Sequence, residues 1–505
     1  MLYESTRGYA EKVTSSQAMV LGLAPDRGLF VPEKFVQLDP AQVAALAQKD
    51  YRMRAVEILR AYLDDFSEEE LAACARLAYG GPKFGHPAVA PVQKIAPGLY
   101  ALELWHGPTL AFKDMALQLM PHLLTRAAQK TGEDATIAIL VATSGDTGKA
   151  ALEGFVDVPG TVIAVFYPEK GVSEVQKLQM VTQEGGNLTV MAVQGNFDDA
   201  QAGVKEIFGD ASFNAEIARY GFVLSSANSI NWGRLVPQVV YYFSAYADLA
   251  AAGEIAPGEE VVYAVPTGNF GNILAAYYAR EMGLPVKKLV LCANANHVLV
   301  DFIRTGTYDR RRQFHRTISP SMDILVSSNA ERLVYHASGR DGEKVKAWME
   351  ELGQAGVYRL DEETHGVIAS AFWADFATDA ETLDTIRRVY AGTGYLADPH
   401  TAVGLCVAEK YRTSTGDGAK IVVASTASPF KFNASVARAV LGEEKTAGAS
   451  EFELLDLLAR ATGRAVPPAL NELKKRPVLH QKSVKKSEMA REVKSFLLGR
   501  AGKAH

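Results

Sequence analysis

The chain has 505 residues, 48 % hydrophobic and 22 % charged, enough apolar material for large cores divided between two or more domains. Its 53 basic and 58 acidic side chains leave a net charge of -5, which excludes the broad positive field that gathers nucleic acid or acidic membrane. Cys74, Cys292 and Cys406 lie far apart in apolar surroundings with no CxxC spacing, and the 10 histidines form no HExxH, so neither a disulfide framework nor a metal site is expected.

The start, "MLYESTRGYAEKV", carries charges where a signal peptide needs an apolar core, and no later run approaches the roughly 20 apolar residues of a membrane span. A cytoplasmic protein without membrane contact is expected. Residues 1–95 read as a helical cap domain. Asp39-Pro40 starts one helix, and Ser67 to Glu70 makes a capping box for another that stops at Gly80-Gly81.

From about residue 98 to 295, β-branched runs such as "ATIAILVAT", "GTVIAVFYP", "NLTVMAVQG", "EVVYAVPTG" and "KKLVLCANA" alternate with segments of helical period. This alternation predicts an α/β fold with parallel sheet covered by helices on both faces. Two doubly wound domains, a small one over 96–225 and a large one over 226–440, are expected. Residues 305–390 read as helix and loop, and "RRRQFHR" within them as a solvated loop face. The strand "AKIVVAST" returns the chain to the sheet. A C-terminal extension, 441–505, ends in a helix whose Met489, Val493, Phe496 and Leu497 face the body.

Parallel sheets collect ligands at the carboxyl ends of their strands, and three strands here end in chemically suggestive loops. After Ala142, Thr143-Ser144-Gly145-Asp146-Thr147-Gly148 leads into a helix near Lys149, with hydroxyls and free N–H groups that suit an anion or simply a helix cap by Thr147 or Asp146. After Pro266-Thr267, Gly268-Asn269-Phe270-Gly271-Asn272 lets the backbone approach a phosphate closely, although it matches neither GxxxxGK[ST] nor GxGxxG. After Ala424, Ser425 and Thr426 present hydroxyls. Lys113 follows Leu110, Ala111 and Phe112, where a surface lysine is the commoner reading. Joined with a phosphate cradle on the same sheet edge, a desolvated lysine instead suits Schiff-base chemistry with a phosphorylated aldehyde.

Six stretches together, "HGPTLAFKD" (106–114), "ATSGDTGKAA" (142–151), "SANSINWGR" (226–234), "PTGNFGN" (266–272), "DPHTAVG" (398–404) and "STASPFKF" (425–432), resemble the threonine synthase family of fold type II pyridoxal-phosphate enzymes, the tryptophan-synthase-β fold. "DRGLFVPEKF" (26–35) is similar to the family's N-terminal segment.

The resemblance implies pyridoxal 5'-phosphate as cofactor and Lys113 as the imine-forming lysine that later moves protons. It implies Gly268, Asn269, Phe270, Gly271 and Asn272 around the cofactor phosphate, and Thr426 facing the pyridine nitrogen. Ser144, Gly145, Asp146, Thr147, Asn228, Ser229 and Arg234 would surround the amino-acid substrate. Asp146 stands where many fold type II enzymes carry Asn, a substitution shared with the longer threonine synthases.

The implied reaction takes O-phospho-L-homoserine and water to L-threonine and phosphate. Arg234 is the leading candidate to receive the leaving phosphate, and Lys149 a further one. Arg234 also reads as an ordinary surface ion-pair partner, and His106 as a satisfied structural histidine. A phospho-lyase or serine/threonine dehydratase releasing a 2-oxo acid is the alternative enzyme, and a non-catalytic anion-binding protein the alternative class. Monomer and homodimer are both open.

Overall fold

The computed structural model describes residues 1–500 apart from Ser144 and Gly171. Two sheets organise it. The larger has six strands in the order Phe372–Phe376, Val286–Ala293, Val261–Pro266, Ile421–Ser425, Leu99–Glu103 and Val92–Ala96, parallel except for the last pair. The smaller has five parallel strands in the order Ser483–Val484, Leu188–Val193, Thr161–Pro168, Thr136–Ala142 and Phe222–Ser225. Val261–Pro266 and Thr161–Pro168 are buried at every position, as strands covered by helices on both faces require.

Two expectations need correction. The small domain was drawn from residue 96, but the hairpin Val92–Ala96 and Leu99–Glu103 joins the larger sheet, and the smaller sheet starts at Thr136. The pairing that decides this, Glu103 beside Ser425, links residues more than 300 positions apart, so no local pattern announces it. Residues 305–390, read as helix and loop, also contain the hairpin Thr307–Asp309 with Val357–Arg359 and the edge strand Phe372–Phe376. Within "RRRQFHR", Arg311 pairs with Asp309 and Arg312 with Asp301.

The N-terminal helices begin at capping boxes on Asp39 and Ser67. Tyr3, Tyr62, Trp232 and Tyr278 meet edge-on at 5.3–5.9 Å, fixing this region to helices Trp232–Ala251 and Gly271–Glu281. At the other end of the chain, Met489, Val493 and Leu497 are buried against Val204, Phe213 and Ile217 on the back of the smaller sheet, with Phe496 partly covered. The tail thus adds both a strand and a helix to that half. Among the described residues, no helix is long and apolar enough to cross a membrane.

Candidate active site

The loop after strand Val261–Pro266 owes its shape to close backbone approach. A Cβ at Gly268 would stand 2.6 Å from the Ser321 carbonyl oxygen, and Phe270 takes a positive φ of 65° to turn the chain into helix Gly271–Glu281. Asn272 Nδ2 donates to the Pro266 carbonyl at 2.7 Å, Ser327 Oγ to that of Gly268 at 2.7 Å, and Asn329 Nδ2 to that of Asn269 at 3.0 Å. Gly268, Phe270, Gly271 and Asn272 are buried, and Asn269 is exposed. The N–H groups of a helix's first turn lack intrahelical partners, so those at Gly271 and Asn272 face outward with the positive end of the helix dipole.

Lys113 lies just before the short helix Asp114–Leu117. Its segment is tied to the loop after Ile421–Ser425: Phe112 N donates to the Thr426 carbonyl at 2.8 Å, and Ser428 N to that of Leu110 at 3.0 Å. The lysine side chain is 13 % exposed, with its Nζ 3.7 Å from Asp146 Oδ2. Burial pushes the amine's pKa down and the charges of Lys431 and Arg234 add to that, against the pull of Asp146. Thr426 itself is buried.

Asp146 opens helix Asp146–Phe155, earlier than the start near Lys149 read from the sequence. The cap is neither Thr147 nor Asp146: Thr143 Oγ1 accepts from Gly145 N at 3.0 Å and Gly148 N at 2.9 Å. Asp146 is therefore free to look away from its own helix. Its Oδ1 meets Lys431 Nζ at 2.9 Å and Gln176 Nε2 at 2.9 Å, and its Oδ2 accepts from Ser321 Oγ at 3.3 Å. Burial would raise its pKa, but Lys431 and Lys113 outweigh that and hold the carboxyl well below the usual range.

Ser321 connects the two loops, since its carbonyl backs Gly268 and its hydroxyl reaches Asp146. Its N–H donates to His400 Nε2 at 3.1 Å, and His400 Nδ1 is 2.7 Å from Asp398. Arg234 is buried, donates to the Ala227 carbonyl, and has a buried Nε without a partner among the described residues; burial lowers its pKa to about 10. Asn329 Nδ2 also donates to the Ser229 carbonyl, joining the 228–229 segment to Asn269, while Asn228 is exposed.

Of the other residues named from sequence, Gly145 is buried with a φ of 156°, and a Cβ there would meet the Gln176 side chain at 2.7 Å. Thr147 is half-buried, and Ser144 lies outside the described residues. Lys149 turns instead to Glu153 at 2.8 Å and to Gln183. His106 stacks on Trp105 at 4.2 Å and bonds Glu103 at 2.8 Å, a structural arrangement.

Three family profiles match in chain order: "Threonine synthase N terminus" over residues 2–79, "Pyridoxal-phosphate dependent enzyme" over 86–377 and "Threonine synthase, C-terminal" over 401–496. A curated threonine synthase of Pseudomonas aeruginosa is 39 % identical over 476 residues, covering 94 % of this chain and 97 % of that protein. The chain belongs to the threonine synthase family.

Human "Threonine synthase-like 1" is likewise 39 % identical, over 92 % of this chain, but the chain spans only 63 % of that relative's length. Among solved structures, threonine synthase from yeast superposes with a TM-score of 0.87 at 32 % identity, covering 99 % of each chain. The PLP-bound threonine synthase from Brucella melitensis gives 0.86 at 37 % identity, covering 98 % of this chain and 99 % of that one. Threonine synthase family membership makes pyridoxal phosphate the cofactor to test against these residues.

Sequence reasoning assigned no role to Lys431, Ser321, His400, Asn329 or Thr143. A signal for Lys431 existed: it is a lone lysine in the apolar run "SPFKF", the same incongruity that drew attention to Lys113. Ser321 and Asn329 had none, since their roles arise from contacts with loops more than 50 positions away.

Proposed function

We propose that this chain converts O-phospho-L-homoserine and water to L-threonine and phosphate with pyridoxal 5'-phosphate, and that Lys113 is its catalytic amine. The observation that carries the reading is the meeting of the little-exposed Lys113 with Asp146, which Ser321 links to the glycine loop at 268–272. When bound, the cofactor supplies an electron sink for negative charge developing beside the amino group.

The residues present fit such a group. The outward N–H groups at the start of helix Gly271–Glu281 suit its phosphate. A Cβ at Gly271 would come 3.5 Å from Gln238 Nε2 and 3.7 Å from Asn329 Nδ2, so the glycine leaves a space bordered by amide nitrogens. Asn269, Phe270 and Asn272 complete that cradle in this reading, and the Thr426 hydroxyl faces the pyridine nitrogen.

The amine of Lys113, desolvated and with its pKa lowered by burial, is the group that would hold the cofactor's aldehyde carbon. The same nitrogen would hold and move the protons of the substrate α- and β-carbons. Arg234, buried with Nε unpartnered, offers a charge-assisted bond to the departing phosphate. Gly145, Asp146, Thr147, Asn228 and Ser229, together with Ser144, line the substrate in this reading. Three buried, free cysteines support a reducing, cytoplasmic setting.

The test mixes the purified chain, pyridoxal phosphate and O-phospho-L-homoserine and measures phosphate and threonine together. Equal yields are expected, with both lowered by about a thousandfold or more in Lys113→Ala, in line with loss of an acid–base group. Phosphate released without threonine overturns the reading in favour of a phospho-lyase.

A further inference from the structure

One buried charge beside the site, Lys431, has no part in the roles above. Lys431 sits on the turn Pro429–Phe432 with its side chain 0 % exposed, and its Nζ donates to the Thr109 carbonyl at 2.8 Å and to Asp146 Oδ1 at 2.9 Å. One ammonium thus clasps both the segment that carries Lys113 and the helix start on the smaller sheet. Asp146 is shared, with Oδ1 committed to Lys431 and Gln176, while Oδ2 meets Ser321 and has Lys113 at 3.7 Å, outside hydrogen-bond reach.

The charges that face Lys113 are Asp146 on helix Asp146–Phe155, Lys431 on its turn and Arg234 on helix Trp232–Ala251. His400 stands behind Ser321, where its Nε2 accepts the Ser321 N–H. Three basic groups therefore share one carboxylate in a buried space, and unpaired buried charge is costly enough that one group gives up its proton. Arg234 does not deprotonate at physiological pH. Lys431 has a direct ion pair and a carbonyl acceptor. Lys113 has only the longer 3.7 Å approach to Asp146 Oδ2, and it is the group that yields.

We propose that Lys431 is a positioning residue for Lys113: by taking Asp146 Oδ1 in the shorter ion pair, it weakens the carboxylate's hold on Lys113, so that the Lys113 amine gives up its proton more readily and can attack a carbonyl carbon. The proposal rests on the reading of Lys113 as the reacting amine. It gives the Asp146–Lys431 pair a purpose beyond joining the two halves of the site, because Lys431 offsets part of the charge by which a lone aspartate would hold the proton on Lys113.

Competitive labelling tests this without turnover. The full-length chain, freed of cofactor, is treated with limiting acetic anhydride between pH 6 and 11, and acetylation of Lys113 is read by mass spectrometry against exposed lysines such as Lys34. Lys431→Gln keeps amide donors for Asp146 and Thr109 but removes the charge. It should raise the Lys113 midpoint by about one unit, cutting labelling at pH 7.5 about tenfold. Lys431→Arg should hold the midpoint near that of the unmodified sequence, whereas a merely structural role would make the glutamine and arginine variants fail alike.

Asp146→Asn should move the midpoint down, and it decides the matter if the glutamine variant does not fold. A midpoint unmoved in Lys431→Gln, or unmoved in Asp146→Asn, overturns the proposal while Lys113 stays reactive. If Lys113 in the unmodified sequence labels at pH 7.5 no faster than Lys34, the assignment of Lys113 as the reacting amine falls as well.

Discussion

The two strand-to-helix loops of the site do the same topological job by different physics. The loop at 266–272 is held by neutral, short-range hydrogen bonds inside the larger half: Thr267 N to the Cys292 carbonyl at 2.9 Å, Asn272 to Pro266, Ser327 to Gly268 and Asn329 to Asn269. The loop at 143–148 has its Thr143 cap, but its working side chain, Asp146, is fixed by groups from elsewhere in the chain, two of them cationic. A cradle of neutral bonds keeps its shape whatever the charge state of its surroundings. A loop held by a buried carboxylate depends on charge balance, and an incoming anion or a lost cation changes that balance.

Removing one member of the charged set separates the two most strongly. Asp146→Asn leaves Lys431 buried without its counter-charge, and a loss of about 3–5 kcal/mol is expected in urea unfolding. Affinity for pyridoxal phosphate, measured by titrating the cofactor-free chain spectrophotometrically, should fall far less than in Gly268→Ala. That glycine variant drives a methyl group against the Ser321 carbonyl at 2.6 Å, backbone that cannot swing aside. A cost of about 1–3 kcal/mol in stability follows, with at least about a tenfold loss of cofactor affinity. Should the asparagine variant lose the cofactor as completely as the alanine one, the two loops are not separable supports and the contrast fails. Asn329→Ala, which frees the Ser229 and Asn269 carbonyls, is expected to cost about 1–2 kcal/mol without changing the pH dependence of unfolding.

The contrast also explains what a linear reading recovers. Strands and the loops after them are written in local pattern: "VVYAVPTGNFGN" shows an apolar run, a glycine turn and a helix start within a dozen residues. Thr143 as the cap was within reach too, since its hydroxyl serves N–H groups only two and five positions on. The charge set was not, because Asp146 and Lys431 are 285 positions apart and only the fold brings them to 2.9 Å. The same blindness misplaced the hairpin at 92–103, whose sheet is decided by pairing with residues 421–425. Lys149 shows the converse, a residue close in sequence to the loop whose side chain the fold commits to Glu153.

Asp114, next to Lys113, offers the mildest test, because it is a buried acid with no direct cationic partner. Its carboxyl lies 2.8 Å from Thr109 N and 2.7 Å from Thr109 Oγ1, and burial pushes its pKa up to about 7 against the pull of those bonds and of Lys431. In the unfolded chain an aspartate titrates near ~4, so between about 4 and 7 the folded protein keeps a proton that the unfolded one has released. Stability from this group is therefore greatest below about 4, declines across that window and is level above it. Asp146 behaves oppositely: its pKa is depressed, so its contribution is complete above the unfolded value and is lost only as pH falls through its much lower folded one. Asp114→Asn copies the neutral acid, accepting from Thr109 N and donating to Thr109 Oγ1. It should match the unmodified sequence at pH 4 and exceed it by about 1–3 kcal/mol at pH 8 in urea unfolding. Equal stability at both pH values would mean that Asp114 is ionised throughout, and that the segment leading to Lys113 is held by charge, as the Asp146 loop is.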